Sequence, residues 1–197
     1  MRSVCVYCGS NAGSRPVYAQ RAAGLGTSLA QHGIAVVYGG GNVGLMGILA
    51  DAALAAGGKV IGVIPEQLVG WEVAHQGLTR LDVVANMHER KARMFDLSDG
   101  FVALPGGFGT LDEMFEMLTW RQIGIADKPC AFLDVDGFFT PLIAMIDRMV
   151  EERFLHVEQR RDLWHGEDID ALLAWMRAYQ PVPSDKWLDG KRRKDLR

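Results

Sequence analysis

Phe101-Val102-Ala103-Leu104-Pro105-Gly106-Gly107-Phe108-Gly109-Thr110-Leu111-Asp112-Glu113 runs from a short apolar stretch through a glycine turn into helical spacing. A short, continuously apolar run is the mark of a strand buried on both faces, as in a parallel sheet covered by helices. The turn that follows bares the backbone amides of Gly106, Gly107, Gly109 and Thr110. At the start of a helix such amides offer an anion several donors, with the positive end of the helix dipole behind them. Glu113 sits one turn further on. A carboxylate that close to a phosphate cradle repels the phosphate, so packing alone gives no reason for it. It makes sense if a cation forms nearby during a reaction.

The same succession recurs along the chain. Strand-like runs fall at Val4 to Tyr7, Ala35 to Tyr38, Val60 to Ile64, Leu81 to Val84, Phe101 to Leu104 and Pro129 to Leu133. Helical stretches fall at about Val17 to Gln31, Leu45 to Ala56, His88 to Leu97, Leu111 to Ile123, Pro141 to Glu152 and Ile169 to Tyr179. Short apolar strands alternating with amphipathic helices predict an α/β fold with a parallel sheet covered on both faces. Gly9, Gly39 to Gly41, and Gly106 with Gly107 fall where strands end, and ligands bind at the carboxyl ends of strands in such folds. The pattern predicts a single domain over residues 1–180 and a basic, flexible tail over residues 181–197, for which a solvated, frayed terminus is the simplest reading.

Composition narrows the function. The chain has 197 residues, 49% of them hydrophobic, which suits one globular domain with a sizeable core. A formal charge of −3 argues against a dedicated nucleic-acid binder. No apolar run approaches the ~20 residues needed to span a bilayer, and the N-terminus lacks the features of a signal peptide, so a cytoplasmic location without membrane association is expected. Cys5, Cys8 and Cys130 are an odd count, which does not suggest a disulfide framework. Cys5 and Cys8 form a C-x-x-C, but inside and at the end of a strand rather than at a helix N-terminus, so buried strand cysteines are expected.

Two further motifs bear on chemistry. Gly39-Gly40-Gly41-Asn42-Val43-Gly44 fits the G-x-G-x-x-G dinucleotide spacing, with Glu66 near the place of the acidic ribose partner behind Pro65. The spacing alone is a weak signal. It suits a loop in which Gly40 and Gly41 approach the sugar or base of a nucleotide, against a purely structural reading of tight strand-to-helix packing. Met87-His88-Glu89-Arg90-Lys91-Ala92-Arg93-Met94 places adjacent cations near a helix start, where they oppose the dipole. Arg93 suits a solvated face, whereas Arg90 and Lys91 suit an anion or a sugar hydroxyl. Ala92 stands where H-E-x-x-H would need its second histidine, so no metal site of that type is expected. On the helix after the cradle, Thr110, Glu113 and Met117 share one face, and Asp112 and Glu116 another. Met114, Phe115 and Leu118 suit a core or subunit interface, and Trp120 and Arg121 are placed to reach a neighbouring subunit.

Together these residues resemble the Lonely Guy family, the cytokinin riboside 5′-monophosphate phosphoribohydrolases. The family hallmark P-G-G-x-G-T-x-x-E is met at every fixed position by residues 105 to 113. Met87 to Lys91, Cys8-Gly9-Ser10, Gly39 to Gly41 with Gly44 to Gly47, and Thr119-Trp120 to Lys128-Pro129 match as well, so the likeness covers about residues 3 to 155. The resemblance implies a Rossmann-like, doubly wound parallel sheet, paired as a homodimer with active sites near the interface. It implies hydrolysis of an N6-modified adenosine monophosphate, such as isopentenyladenosine monophosphate, or of AMP itself, to free base and ribose 5-phosphate. It also implies Arg90 and Glu113 as the catalytic pair. Lys91, Gly106, Gly107, Phe108, Gly109 and Thr110 would bind the nucleotide, with Gly40, Gly41 and Met87 beside them. Glu72 and Thr119 are weaker matches to substrate contacts. No cofactor and no metal are implied. The family's older label, lysine decarboxylase, would require pyridoxal phosphate on a lysine, and no lysine here is singled out for it.

On this reading the cradle fixes the 5′-phosphate, and Glu113 faces the ribose, where cleavage develops an oxocarbenium-like cation. Arg90 positions the sugar or phosphate and helps hold Glu113 ionised. The sequence names no acid for the departing base. Two alternatives stay open: an NAD(P)-dependent oxidoreductase using the Gly39 loop, and a non-catalytic nucleotide-binding protein on the same fold.

Overall fold

A computed structural model describes residues 1–69 and 74–181. Glu72 and the basic stretch beyond residue 181 lie outside them. Among the described residues one seven-stranded sheet carries the order β4-β3-β2-β1-β5-β6-β7, parallel throughout. Its strands are β1 (Ser3–Tyr7), β2 (Ala35–Tyr38), β3 (Val60–Pro65), β4 (Arg80–Val84), β5 (Phe101–Ala103), β6 (Cys130–Leu133) and β7 (Leu163–Gly166). The helices are α1 (Pro16–Gln31), α2 (Gly44–Ala55), α3 (Glu66–Val69), α4 (Met87–Asp96), α5 (Phe108–Gln122), α6 (Thr140–Glu151), α7 (Val157–Arg161) and α8 (Ile169–Ala178).

The period of two along the strands sorts side chains into two cores. Val4 and Val6 of β1 face one layer with Leu25 of α1, Leu49 of α2 and Leu172 of α8. Cys5 and Tyr7 face the other, with Met94 of α4, Met114 and Met117 of α5 and Ile143 of α6. The α/β class with helices on both faces is thus as the sequence pattern predicts.

Strand order reverses between β1 and β5. After β1 the chain adds β2, β3 and β4 on one side, then returns to lay β5 on the other. The loops leaving these two strands diverge, and the crevice between their carboxyl ends is the ligand position of open α/β sheets. Tyr7 ends one strand and Ala103 the other, paired in register. Gly9 N–H donates to Pro105 O at 3.1 Å, so the two loops meet at the crevice.

The observed elements start or stop within a few residues of the expected ones. One strand was not expected. Leu163-Trp164-His165-Gly166 has neither an apolar run nor clean alternation, and it pairs only with β6, at the sheet edge. What fixes it is Asp134, which accepts from His165 Nε2 at 2.8 Å and from the Val135 and Phe139 amides at 2.8 and 2.9 Å. Burial works to raise the Asp134 carboxyl, but these bonds outweigh it and hold it below the usual range. A depressed folded value makes its stabilisation present above the unfolded value of about 3.9 and lost as pH falls through the folded value. Asp134→Asn should therefore lower the urea midpoint at pH 7, with the gap to the parent closing below about pH 4. A gap independent of pH would remove the charge from that account.

Among the described residues no helix is long and apolar enough to cross a membrane.

Candidate active site

The cradle is built by where α5 begins. Gly107 is its N-cap, in extended backbone, and Phe108, Gly109 and Thr110 form its first turn. The amides of that first turn have no partner within their own helix. The glycines divide by cause. A Cβ on Gly106 would lie 2.1 Å from Thr110 Oγ1 and 2.9 Å from Gly9 N, so close packing accounts for that residue. A Cβ on Gly107 or Gly109 would meet nothing within 4 Å. Packing gives no reason for either, and both leave the amides open to a ligand. Phe108 projects beside them, 94% exposed.

Glu113 lies one turn along α5. It shares a buried face with Thr110 and Met117, as the spacing predicts. Its carboxylate meets Arg90, Nη1 to Oε1 at 3.3 Å, with each side chain only 9% exposed. Arg90 comes from α4, which Asn86 caps by accepting from Glu89 N–H at 3.0 Å. That cap, with Glu89 in the first turn, offsets the cost of cations near a helix start. Arg90 Nε also donates to Val63 O at 3.2 Å, and its Nη1 lies 3.7 Å from Met87 Sδ. The two groups most in need of water are thus held together under the crevice, where an ion pair acts at low dielectric.

The thiols and the phenol nearest the pair are held neutral. Burial first, and then the Glu113 charge, push the Cys5 and Cys8 thiols well above the ordinary range. Burial also raises the Tyr7 phenol, with the Cys5 and Glu113 charges adding to it. Burial pushes the Cys130 thiol up to about 11. All three cysteines are free and buried, so the C-x-x-C is structural, with thiols held protonated.

Other expected residues are placed differently. Lys91 leaves the cradle side and binds Asp112 and Glu116, Nζ to oxygen at 3.3 and 3.1 Å. Asp112 and Glu116 do share a second face, and Lys91 is what they share it with. Thr119 is exposed and donates back to Phe115 O at 2.8 Å. It lies six residues past Glu113, roughly 9 Å along the axis and on another side of the helix. Gly40 has φ +79° and is backed by Leu81 and Ile64, while Gly41 bridges to Ala74. Arg93 sits on the charged face expected of it and donates to Asp82 at 2.8 Å. Trp120 and Arg121, expected to reach a neighbouring subunit, both make contacts within the chain. Trp120 packs edge-on to Phe95 at 5.1 Å, and Arg121 donates to Asp162 O at 3.0 Å.

The G-x-G-x-x-G loop follows β2, one strand away from the β1/β5 crevice. A dinucleotide fold places its fingerprint after the strand that borders the crevice. Glu66 is exposed on α3, in no position to close such a site. Nor, among the described residues, do the lysines fit pyridoxal phosphate. Lys59 precedes β3, at the amino end of the sheet. Lys128 is engaged by Phe95, whose carbonyl accepts from it at 2.6 Å and whose ring lies beneath its ammonium. Burial works to lower the Lys91 ammonium, but Glu116 and Asp112 outweigh it and hold it above its ordinary value. A Schiff-base lysine needs the opposite shift. Among the described residues no group of three or more His, Cys, Asp or Glu side chains is placed to hold a metal ion.

The family described as "possible lysine decarboxylase" matches residues 46–176. A relative from Oryza sativa subsp. japonica, named a probable cytokinin riboside 5′-monophosphate phosphoribohydrolase, is 46% identical over 93% of this chain and 85% of its own. A cytokinin riboside 5′-monophosphate phosphoribohydrolase of Arabidopsis thaliana is 42% identical over 91% of this chain and 84% of its own. Among solved structures, the molybdenum cofactor binding protein of Rippkaea orientalis superposes with a TM-score of 0.69 at 21% identity, over 90% of this chain and 96% of that one. That last likeness speaks for the fold alone.

Proposed function

We infer that this chain, which belongs to the Lonely Guy family of cytokinin riboside 5′-monophosphate phosphoribohydrolases, hydrolyses the N-glycosidic bond of an adenosine 5′-monophosphate, plain or N6-modified, to the free base and ribose 5-phosphate. The observation that carries the reading is the buried Arg90–Glu113 pair one helical turn from an open cradle. The amides of Gly107 to Thr110 take the 5′-phosphate. That anchor sets the ribose over Glu113. As the bond from C1′ to the base lengthens, positive charge grows on the sugar, and the carboxylate faces it across a site largely closed to water. Water adds to C1′ and gives a proton to Glu113, while the base leaves with the electrons of the C–N bond and gains one proton, so that water's OH ends on C1′ and its H, in net, on the base. Arg90 holds the carboxylate in place and neutralises it before substrate arrives. Lys91 acts at one remove, fixing Asp112 and Glu116 on the adjoining face of α5.

A pure carrier has no use for a buried carboxylate beside its phosphate site, and an NAD(P)-dependent enzyme would carry its fingerprint after a strand that borders the crevice, whereas the G-x-G-x-x-G here follows β2. Chromatography of products from AMP and isopentenyladenosine monophosphate, with the unphosphorylated ribosides as controls, tests the reading. Release of base and ribose 5-phosphate from the nucleotides is expected, with the ribosides much slower. Binding of AMP without release of adenine would identify a carrier instead. Ribosides cleaved as fast as nucleotides would remove the phosphate from the role given to the cradle.

The working unit is a homodimer on this reading. Exposed Phe108 continues a line of half-buried apolar residues along α5, Leu111, Phe115 and Leu118, which suits a subunit contact beside the site. Sedimentation velocity at micromolar concentration should give twice the 21.7 kDa chain mass.

A further inference from the structure

We infer that Gly39 is a positioning residue for the reaction: its missing side chain is the slot through which Arg90 reaches Glu113. A Cβ built on Gly39 would lie 2.1 Å from Arg90 Nη2 and 3.3 Å from its Cζ. The guanidinium therefore occupies the very space that any other residue would fill. Its remaining sides are also taken. Val63 O accepts from Nε at 3.2 Å, Met87 Sδ lies 3.7 Å from Nη1, and Glu113 Oε1 lies 3.3 Å from Nη1. Met46 Sδ stands 3.2 Å from the same Cβ position, so the slot is closed behind Gly39 as well.

The backbone does not explain Gly39. It is not among the glycines at positive φ, whereas its neighbour Gly40, at φ +79°, and Gly44, at φ +60°, are. A dinucleotide fingerprint would keep its first glycine for a tight turn. Here the turn is made by Gly40, and the atoms nearest a Gly39 Cβ are the guanidinium tip, at 2.1 Å, and then Met46 Sδ, at 3.2 Å. An Ala at this position would fit its backbone and displace Arg90 by an ångström or more. Misplacement on that scale can cost on the order of 10² in rate.

The inference rests on Arg90 and Glu113 being the reacting pair, and a double-mutant cycle tests it with two readouts. Gly39→Ala should lower kcat roughly tenfold or more while KM for AMP stays within about threefold, because the phosphate cradle is untouched. In an Arg90→Met background, the same substitution should leave kcat unchanged and lower Tm by much less, since the guanidinium it displaces is gone and only the Met46 contact remains. Equal losses in both backgrounds would overturn the inference, as would a rise in KM with kcat kept. If the parent protein releases no base at all, the functional reading fails. The Tm cycle then still decides whether Gly39 and Arg90 are coupled.

Discussion

Glu113→Gln lowers kcat for AMP hydrolysis by a factor of about 10² or more and leaves nucleotide binding largely intact. The two side chains have the same shape, and the amide oxygen can still accept from Arg90. What is lost is the negative charge. In the ground state that charge faces Arg90 at 3.3 Å, and as the glycosidic bond breaks it also faces a second cation on the ribose. Only the second interaction grows along the reaction, so the loss appears in kcat rather than in KM. The fold should hold. Removing one partner of a buried pair outright costs about 3–5 kcal/mol, but Gln keeps a hydrogen-bonding group in place and Arg90 retains Val63 O. Glu113→Ala, which strands Arg90, should lower Tm more than Glu113→Gln does. Product chromatography under single-turnover conditions is the measurement. Release of ribose 5-phosphate by Glu113→Gln at near the parent rate would end the assignment of Glu113 to the reaction.

How much of this site is legible in the sequence depends on the distance over which each interaction is encoded. The face shared by Thr110, Glu113 and Met117 is a matter of three to seven residues, and helical spacing alone places it. The cradle is equally local, since a strand, a glycine turn and a helix start are contiguous from Phe101 to Glu113. The pairing of Arg90 with Glu113 is not local. It depends on α4 and α5 lying on one face of the sheet, and in the sequence only the resemblance links the two residues. Lys91 shows the limit. As a cation beside Arg90 it reads as a second anion contact, but one residue along a helix is a rotation of about 100°, and that turns it to Asp112 and Glu116. By spacing, Gly39 belongs with Gly41 and Gly44 in a nucleotide fingerprint. Its neighbour in space is a guanidinium from another element, and no spacing rule reports that. β7 went unseen for a related reason, because His165 is held by Asp134, 31 positions away, rather than by an apolar pattern of its own.

Gly107→Asp separates stability from activity with opposite signs. Gly107 is the N-cap of α5, in extended backbone with φ −97° and ψ −154°, and a side chain there would meet nothing within 4 Å. Asp is among the best N-cap residues, because its carboxylate accepts from the amides two and three positions on. Here those amides belong to Gly109 and Thr110. A charge at the helix start adds about 0.3–1 kcal/mol through the dipole. The variant should therefore melt no lower than the parent, and by a small margin higher. The same carboxylate occupies the donors that the 5′-phosphate needs, and it repels the phosphate. Two unit charges about 4 Å apart near a protein surface repel by about 4 kcal/mol. Even after discounting for solvent, KM for AMP should rise by about 10² or more. Adenosine has no phosphate to lose, so its slow cleavage should be unchanged. A Gly107→Asn control keeps the cap without the charge and should fall between the two. Thermal melts and kinetics with AMP and adenosine, run on all three proteins, give the result. An unaltered KM for AMP in Gly107→Asp would place the phosphate elsewhere, and Glu113 would then need a different reason for standing one turn behind those amides.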